Sequence, residues 1–437
     1  MPFSFKSVDE AFSWIESFTN LEKNAKERKR HYRPERMAEV LQQFGNPHLN
    51  PKVIHLAGSK GKGSTSVLTA SALSSNGWKT GLYTSPHVLH YKERIQIDGS
   101  PLDDDVYIRQ ISFIRNSLSS ELPGGTDPTT FELITLLAFL IFKDEACDFA
   151  VIETGLGGRL DATNAVRPIA SVLTPIELEH TQWLGDTLEA IAREKAGIIK
   201  KGVPVFSAPQ PEGVEEIFRE KAESEGSDFS ILSRSVSEIE STVSVQGTAF
   251  TIHYKTGESV KGRLAMAGHI QAWNAALSLS VLSGLFPAVD NRVWLKGFSQ
   301  AVLPGRMEIV SKEPVLVLDG SHTPRSVSLA VNSFQSICPG DREKVLLFAC
   351  QDDKDALSMA EILTPLFSRV IITVPGYFKE SHPRRVFDAF TTYGDNCILE
   401  EDPEEALKAA QTGKNDLLIM GSFMLIGMIK EILGEQI

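Results

Sequence analysis

The chain has 437 residues, near three times an ordinary domain, so a single hydrophobic core is excluded and two domains are expected. With 42% hydrophobic and 23% charged residues it is neither disordered nor fibrous, and a formal net charge of -12 argues against nucleic acid or an anionic membrane as partner, since both need a basic face. Cys147, Cys338, Cys350 and Cys397 have no C-x-x-C spacing, which argues against a zinc ribbon or disulfide framework and fits a reducing cytoplasm.

In chain order, the first 18 residues read as an amphipathic helix, not a secretory signal. Residues 53–57 (VIHLA) read as a buried strand, GSKGKGS as a loop, and the next stretch as a helix stopped at Asn76-Gly77. The apolar run 131–142 contains Glu132 and is well short of the ~20 residues that a spanning helix needs. Short apolar runs at 81–84, 149–153, 170–174 and 203–207, separated by helical stretches, read as buried parallel strands. Residues 229–267 are rich in β-branched side chains, with Gly247 and Gly257 as hairpin tips, and read as a small antiparallel sheet. Leu303-Pro304-Gly305 is the expected boundary, giving domains 1–303 and 304–437. Beyond it, strands at 315–318, 344–349, 369–374, 397–399 and 416–420 alternate with helices such as 356–367 and 403–411, a second doubly wound α/β domain.

The loop Gly58-Ser59-Lys60-Gly61-Lys62-Gly63-Ser64 lies between strand and helix, where glycines free backbone amides to face phosphate and the helix N-terminus favours anions. Lys62 would neutralise β/γ-phosphate charge. Gly63 between Lys62 and Ser64 breaks the general G-K-[ST] pattern, and a plain glycine turn is the bland alternative. Ser85, in YTSPH after a strand, is a metal ligand or part of an ordinary turn. Glu153 closes the strand FAVIE beside a glycine loop and is suited to magnesium. His180 follows the strand 170–174 at the same sheet edge. The next helix is expected to start at Asp186 with Glu189 completing a capping box. Its apolar stripe, Leu188, Ile191 and Ala192, is completed by Lys195. A lysine on a buried face loses proton affinity, and its neutral amine can take up carbon dioxide to form a carbamate; by spacing alone, a snorkelling or paired lysine is the better reading.

HLAGSKGKGST, LYTSPHVLHYKERI, TTFELIT, VIETGLGGRLDATN, HTQWLG, REKAGIIKKG, WNAALSL, LPGRMEIV and LDGSHTP, in this order and spacing, resemble the folylpolyglutamate and dihydrofolate synthases of the Mur ligase superfamily. The resemblance implies a P-loop Mur-ligase-like central domain with a small antiparallel sheet, followed by an α/β glutamate-ligase domain. It implies addition of L-glutamate to reduced folate, and to dihydropteroate, with ATP forming an acyl phosphate. It places the triphosphate on the loop 58–64, two Mg2+ ions on Ser85, Glu153 and His180, and a carbamate on Lys195. The resemblance also assigns nucleotide contacts between the domains to Asn274, Arg306 and Asp319, supported by His322. By the same resemblance the pterin is expected between residues 20–23, Thr129, Thr130, Phe131 and Glu132, and Leu160, Asp161 and Ala162. A cytoplasmic monomer working on small molecules is implied. Three departures stand out: Lys60 in a loop that usually reads GTNGKGS, Glu179 for an aspartate, and Ser321-His322-Thr323-Pro324 for AHNP. Rival readings are a Mur-type ligase acting on a UDP-linked peptidoglycan precursor, a P-loop kinase or switch protein, and a ligase-derived binding protein without catalysis.

Overall fold

A computed structural model describes residues 2–19, 34–118, 127–376 and 381–434. The first lobe is built on β1 (Lys52–Ala57), β2 (Thr80–Tyr83), β3 (Ile95–Ile97), β4 (Ser100–Pro101), β5 (Phe149–Glu153), β6 (Ala170–Leu173), β7 (Val205–Ser207) and β8 (Phe229–Ile231). Their order is β4-β3-β2-β5-β1-β6-β7-β8, parallel from β2 to β8, with β3 and β4 turned antiparallel at the edge. The period-2 alternation of each strand divides the core. Val53, Ala150 and Ile152 meet helix Thr130–Asp144, while Ile54, Leu56 and Val151 meet helices Lys62–Ser75 and His269–Leu285. Burying each of these valine, leucine and isoleucine side chains contributes about 1.5–3 kcal/mol, and apolarity on both faces is what a sheet covered on both sides requires.

A three-stranded antiparallel sheet follows, β9 (Val236–Ser244), β10 (Gly247–Tyr254) and β11 (Ser259–Leu264), in the order β11-β10-β9. The expected hairpin region is thus corrected at its start. Residues 229–231 pair with β7 as the last parallel strand, and residues 232–235 form a helical turn. Ile231 is buried and its strand is hydrogen-bonded to β7; β-branched composition favours a strand without choosing the sheet it joins.

The second lobe contains β12 (Glu308–Lys312), β13 (Val315–Asp319), β14 (Lys344–Phe348), β15 (Arg369–Ile372), β16 (Cys397–Leu399) and β17 (Asp416–Met420), in the order β12-β13-β17-β14-β15-β16. All neighbours are parallel except β12, an antiparallel edge strand. β12 was not expected from the sequence because its residues are only half-buried and its register slips between Ile309 and Ser311, which breaks the alternation. Among the described residues no helix is long and apolar enough to cross a membrane.

Candidate active site

The carboxyl ends of β1, β5 and β6 in the first lobe and of β13 and β14 in the second face one another across a cavity of about 530 Å³. Ligands of open α/β sheets collect at such strand ends. One wall is the loop after β1. Gly61 caps helix Lys62–Ser75 with φ 84, and a Cβ there would lie 2.5 Å from Asn274 Oδ1. A Cβ on Gly58 would lie 1.8 Å from Thr174 Oγ1. These contacts, besides backbone freedom, account for glycine at both positions. The amides of Ser59 and Lys60 donate to the Pro175 carbonyl, which pins the loop to the strand end of β6. The amides of the helix's first turn have no intrahelical acceptor, the arrangement that favours an anion at a helix N-terminus.

Lys62 Nζ donates to Gly58 O at 2.9 Å and lies 4.0 Å from Glu153 Oε1. Glu153, 4% exposed at the end of β5, accepts the Ser85 amide at 3.2 Å. Burial raises its carboxyl, with Lys62 and the Ser85 amide opposing. His180 adopts φ 48 at the start of helix Thr181–Leu184, left-handed backbone that costs a non-glycine residue about 1–3 kcal/mol. Among the described residues, no three His, Cys, Asp or Glu side chains gather as a preformed metal centre. Mg2+ takes one or two carboxylates and completes its shell with water and phosphate oxygens, a demand that the linked pair Glu153 and Ser85 with nearby His180 fits.

Lys195 is 1% exposed and does not line the cavity. Its Nζ donates to Gly58 O at 2.7 Å and Glu179 Oε1 at 2.9 Å. Burial pulls the ammonium down to about 8 against the pull of Glu179. Burial raises the Glu179 carboxyl, but Lys195 and Lys62 outweigh it and hold the group at about 2. The helix carrying Lys195, Leu188–Lys195, is capped by Thr187, whose hydroxyl accepts the Ala190 amide, which corrects the expected start at Asp186. Thr187 has the extended backbone and reach that the cap requires.

The opposite wall belongs to the second lobe. Asp319, 3% exposed, accepts the amides of Met307 and Ser321 at 2.8 Å each, tying the LPGR and LDGSH segments together. The Arg306 guanidinium lies 4.1 Å over the Phe423 ring. His322 Nδ1 donates to Gly320 O at 2.8 Å. Burial, then Lys60, lowers His322 to about 3. Lys60 is itself lowered by burial, with Glu179 and Glu177 opposing.

Of the expected site residues, 59–64, Ser85, Thr129, Phe131, Glu132, Glu153, 160–162, His180, Asn274, Arg306, Asp319 and His322 all border this cavity. Gly58 and Thr130 lie behind it, the Thr130 hydroxyl donating to Phe18 O at 3.1 Å. Glu132 accepts Arg36 at 2.6 Å and the Thr129 amide at 2.7 Å, a capping box joined to a buried ion pair. Residues 20–23 lie outside the described residues. The sequence reading passed over Glu177, Arg325, Lys354 and Phe423, which also border the cavity. Lys354, in the loop after β14, was within reach of the strand-end rule; Phe423 had no local signal.

Residues 56–282 match the Mur ligase middle domain and residues 305–423 the Mur ligase glutamate ligase domain. The chain is 30% identical over 434 residues to the folylpolyglutamate synthase of Lacticaseibacillus casei, covering 97% of this chain and 98% of the relative. The chain belongs to the folylpolyglutamate synthase and dihydrofolate synthase family of Mur ligases. Within this family, the dihydrofolate synthase/folylpolyglutamate synthase of Bacillus subtilis is 31% identical over 408 residues, covering 91% of this chain and 94% of the relative. The apo structure of the L. casei folylpolyglutamate synthase superposes with a TM-score of 0.85 at 27% identity, over 98% of this chain and 100% of that one. A folylpolyglutamate synthase complex with AMPPCP and folate gives 0.82 at 28%, over 98% and 99%.

Proposed function

We propose that the chain is an ATP-dependent ligase that adds L-glutamate to reduced folate and to dihydropteroate. The observation that carries this reading is the two-walled cavity, with the phosphate loop on one side and Arg306, Asp319 and His322 on the other. In this reading a carboxylate of the pterin substrate attacks the γ-phosphorus of ATP, giving an acyl phosphate and ADP. The glutamate amine then attacks the acyl carbon, loses a proton and expels phosphate. No protein nucleophile takes part, so positioning and charge neutralisation supply the catalysis.

Lys62 leaves the Gly58 carbonyl for the triphosphate, and Gly61 and the first turn of its helix hold the phosphate oxygens. Asn274, Arg306, Asp319 and His322 hold the nucleotide from the far side. Ser85, Glu153 and His180 would hold two Mg2+ ions, which supply positive charge along the phosphate chain. Lys195, buried and with proton affinity already lowered, reacts as the neutral amine with carbon dioxide, releasing a proton and leaving a carbamate that replaces its tie to Glu179. Phe131, Leu160 and Ala162 form the pterin wall with Thr129, and Asp161 organises it. We place the domain boundary between Leu303 and Pro304, and we propose a cytoplasmic monomer; its four cysteines are unpaired, as a reducing compartment would keep them.

The deciding experiment measures phosphate release with ATP, Mg2+ and L-glutamate, comparing dihydropteroate with tetrahydrofolate and weighing each product. Both gaining one glutamate residue supports the full proposal. Gain by tetrahydrofolate alone reduces it to polyglutamate synthesis, and gain by neither overturns it.

A further inference from the structure

Behind the pterin wall runs a buried chain of hydrogen bonds that begins on the strand bearing the phosphate loop. His55, in the middle of β1, is fully buried, and its Nε2 lies 2.8 Å from Thr163 Oγ1. The Thr163 hydroxyl donates to Asp161 Oδ1 at 2.6 Å, and the Thr163 amide reaches the same oxygen at 3.0 Å. Asp161 Oδ2 accepts the Leu156 amide at 2.9 Å, and the Gly155 amide also serves this carboxylate.

The polarity of the chain follows from which groups can donate. Burial raises the Asp161 carboxyl, but the Leu156 amide, the Thr163 hydroxyl and the Thr163 and Gly155 amides oppose it; as a carboxylate it only accepts, so the single hydroxyl proton of Thr163 is committed to it. Toward His55 the Thr163 oxygen is therefore an acceptor, which puts the imidazole proton on Nε2. His55 Nδ1 has no partner among the described atoms, consistent with a ring held in one tautomer. Burial, then Lys200, lowers this histidine to about 3, so it stays neutral over the working pH range.

At its far end the chain sets the loop 155–162. Gly155, Leu156, Leu160 and Ala162 border the cavity, and a Cβ on Gly155 would lie 2.4 Å from the Phe131 ring. Gly155 therefore packs closely on Phe131, so that a displacement of this loop is passed to the ring.

We infer that His55 and Thr163 are positioning residues for the pterin side of the reaction: the Nε2–H of His55 orients the Thr163 hydroxyl, which holds Asp161 and through it Gly155 and Leu156, against which Phe131 of the pterin wall rests. This rests on the proposed ligase function only for the identity of the substrate. Neither residue touches it. Their effect passes through the loop, so they act on the pterin substrate selectively although His55 lies three residues from the phosphate loop.

The test uses His55→Leu and Thr163→Val, which remove a hydrogen bond at near-constant volume, with His55→Gln and Thr163→Ser as restoring partners that keep a donor in place. Steady-state kinetics should show the KM for tetrahydrofolate rising about tenfold or more in the first pair, with the KM for ATP within twofold and kcat changed less than KM. The restoring variants should return toward wild type. The double variant should resemble either single one, since both break one chain. Equal shifts in both KM values, or an unchanged folate KM, overturn the inference. Hydrogen exchange of the segment 154–165, read by mass spectrometry without turnover, should be faster in His55→Leu and Thr163→Val and restored in the other two. Exchange unchanged in all four overturns the positioning role even if the wild type proves not to ligate glutamate, whereas lack of wild-type turnover with the expected exchange pattern overturns the substrate assignment alone.

Discussion

Lys195 Nζ lies 2.9 Å from Glu179 Oε1 and 2.7 Å from the Gly58 carbonyl, so one buried ammonium ties the helix Leu188–Lys195 to both the loop after β6 and the phosphate loop. A lysine in this setting has two uses. As an ion pair it braces the loops; as an amine whose proton affinity burial lowers to about 8 it offers far more neutral form at neutral pH than an ordinary lysine does.

Lys195→Ala is therefore expected to abolish ligation while the far-UV circular dichroism spectrum is retained. The melting temperature should fall, because Glu179 loses its buried partner, a loss of about 3 kcal/mol or more. High bicarbonate with small carboxylates should restore part of the activity; full activity without rescue would remove Lys195 from the reaction.

Carbamate formation needs the neutral amine, and a lysine lowered to about 8 loses its proton as pH rises through that value. In 13C-bicarbonate at fixed dissolved CO2, the carbamate NMR signal should therefore grow between pH 7 and pH 9. A signal flat across this window, or absent in the wild type, contradicts the assignment.

Glu153→Gln keeps the shape of the buried side chain and its contact with the Ser85 amide but removes the charge that would face Mg2+. The Mg2+ concentration for half-maximal activity should rise at least tenfold. An unchanged Mg2+ dependence would show that Glu153 only braces the loop carrying Ser85.

Gly61→Ala adds a Cβ 2.5 Å from Asn274 Oδ1 at φ 84. The left-handed backbone alone costs roughly 1–2 kcal/mol, and the side-chain clash displaces Asn274, which otherwise pairs with Gln271 at 2.9 Å. The KM for ATP should rise about tenfold or more with the folate KM little changed. Equal effects on both substrates would argue against a nucleotide role for this turn.

Arg325 pairs with Glu177 across the cavity at 3.3 Å, but the Arg325 side chain is 71% exposed. An exposed pair contributes about 0–1 kcal/mol, so Glu177→Gln should shift the melting temperature by no more than a few degrees and change kcat/KM for ATP by less than about twofold. Arg306→Lys, which gives up the planar contact with Phe423, should cost far more in kcat/KM for ATP, about tenfold. Reversal of that order would mean that closure of the lobes depends on the surface pair.

Much of the site was legible because it lies at strand ends. Glu153 closing an apolar strand, the glycines between β1 and its helix, and Lys195 completing the stripe of Ile191 and Ala192 are one-dimensional patterns with a local cause. The role of Glu179 was not legible. A departure from aspartate marked the position, but only the packing of Leu188–Lys195 against the loop after β6 shows which cation it meets. Residues 229–231 misled for the related reason that a strand's β-branched composition does not say which sheet it joins.

The sequence by itself determined the two lobes, the parallel sheets and the family, because periodicity, turn residues and motif spacing are written along one chain. The tertiary structure decided which lone groups become partners: Arg306 with Phe423, Lys195 with Glu179, His55 with Asp161 through Thr163. Those contacts join residues as much as 117 positions apart, and hydrogen bonds and ring contacts act over only a few ångströms, so the backbone must first be folded before chemistry can distinguish a solvated side chain from a working one.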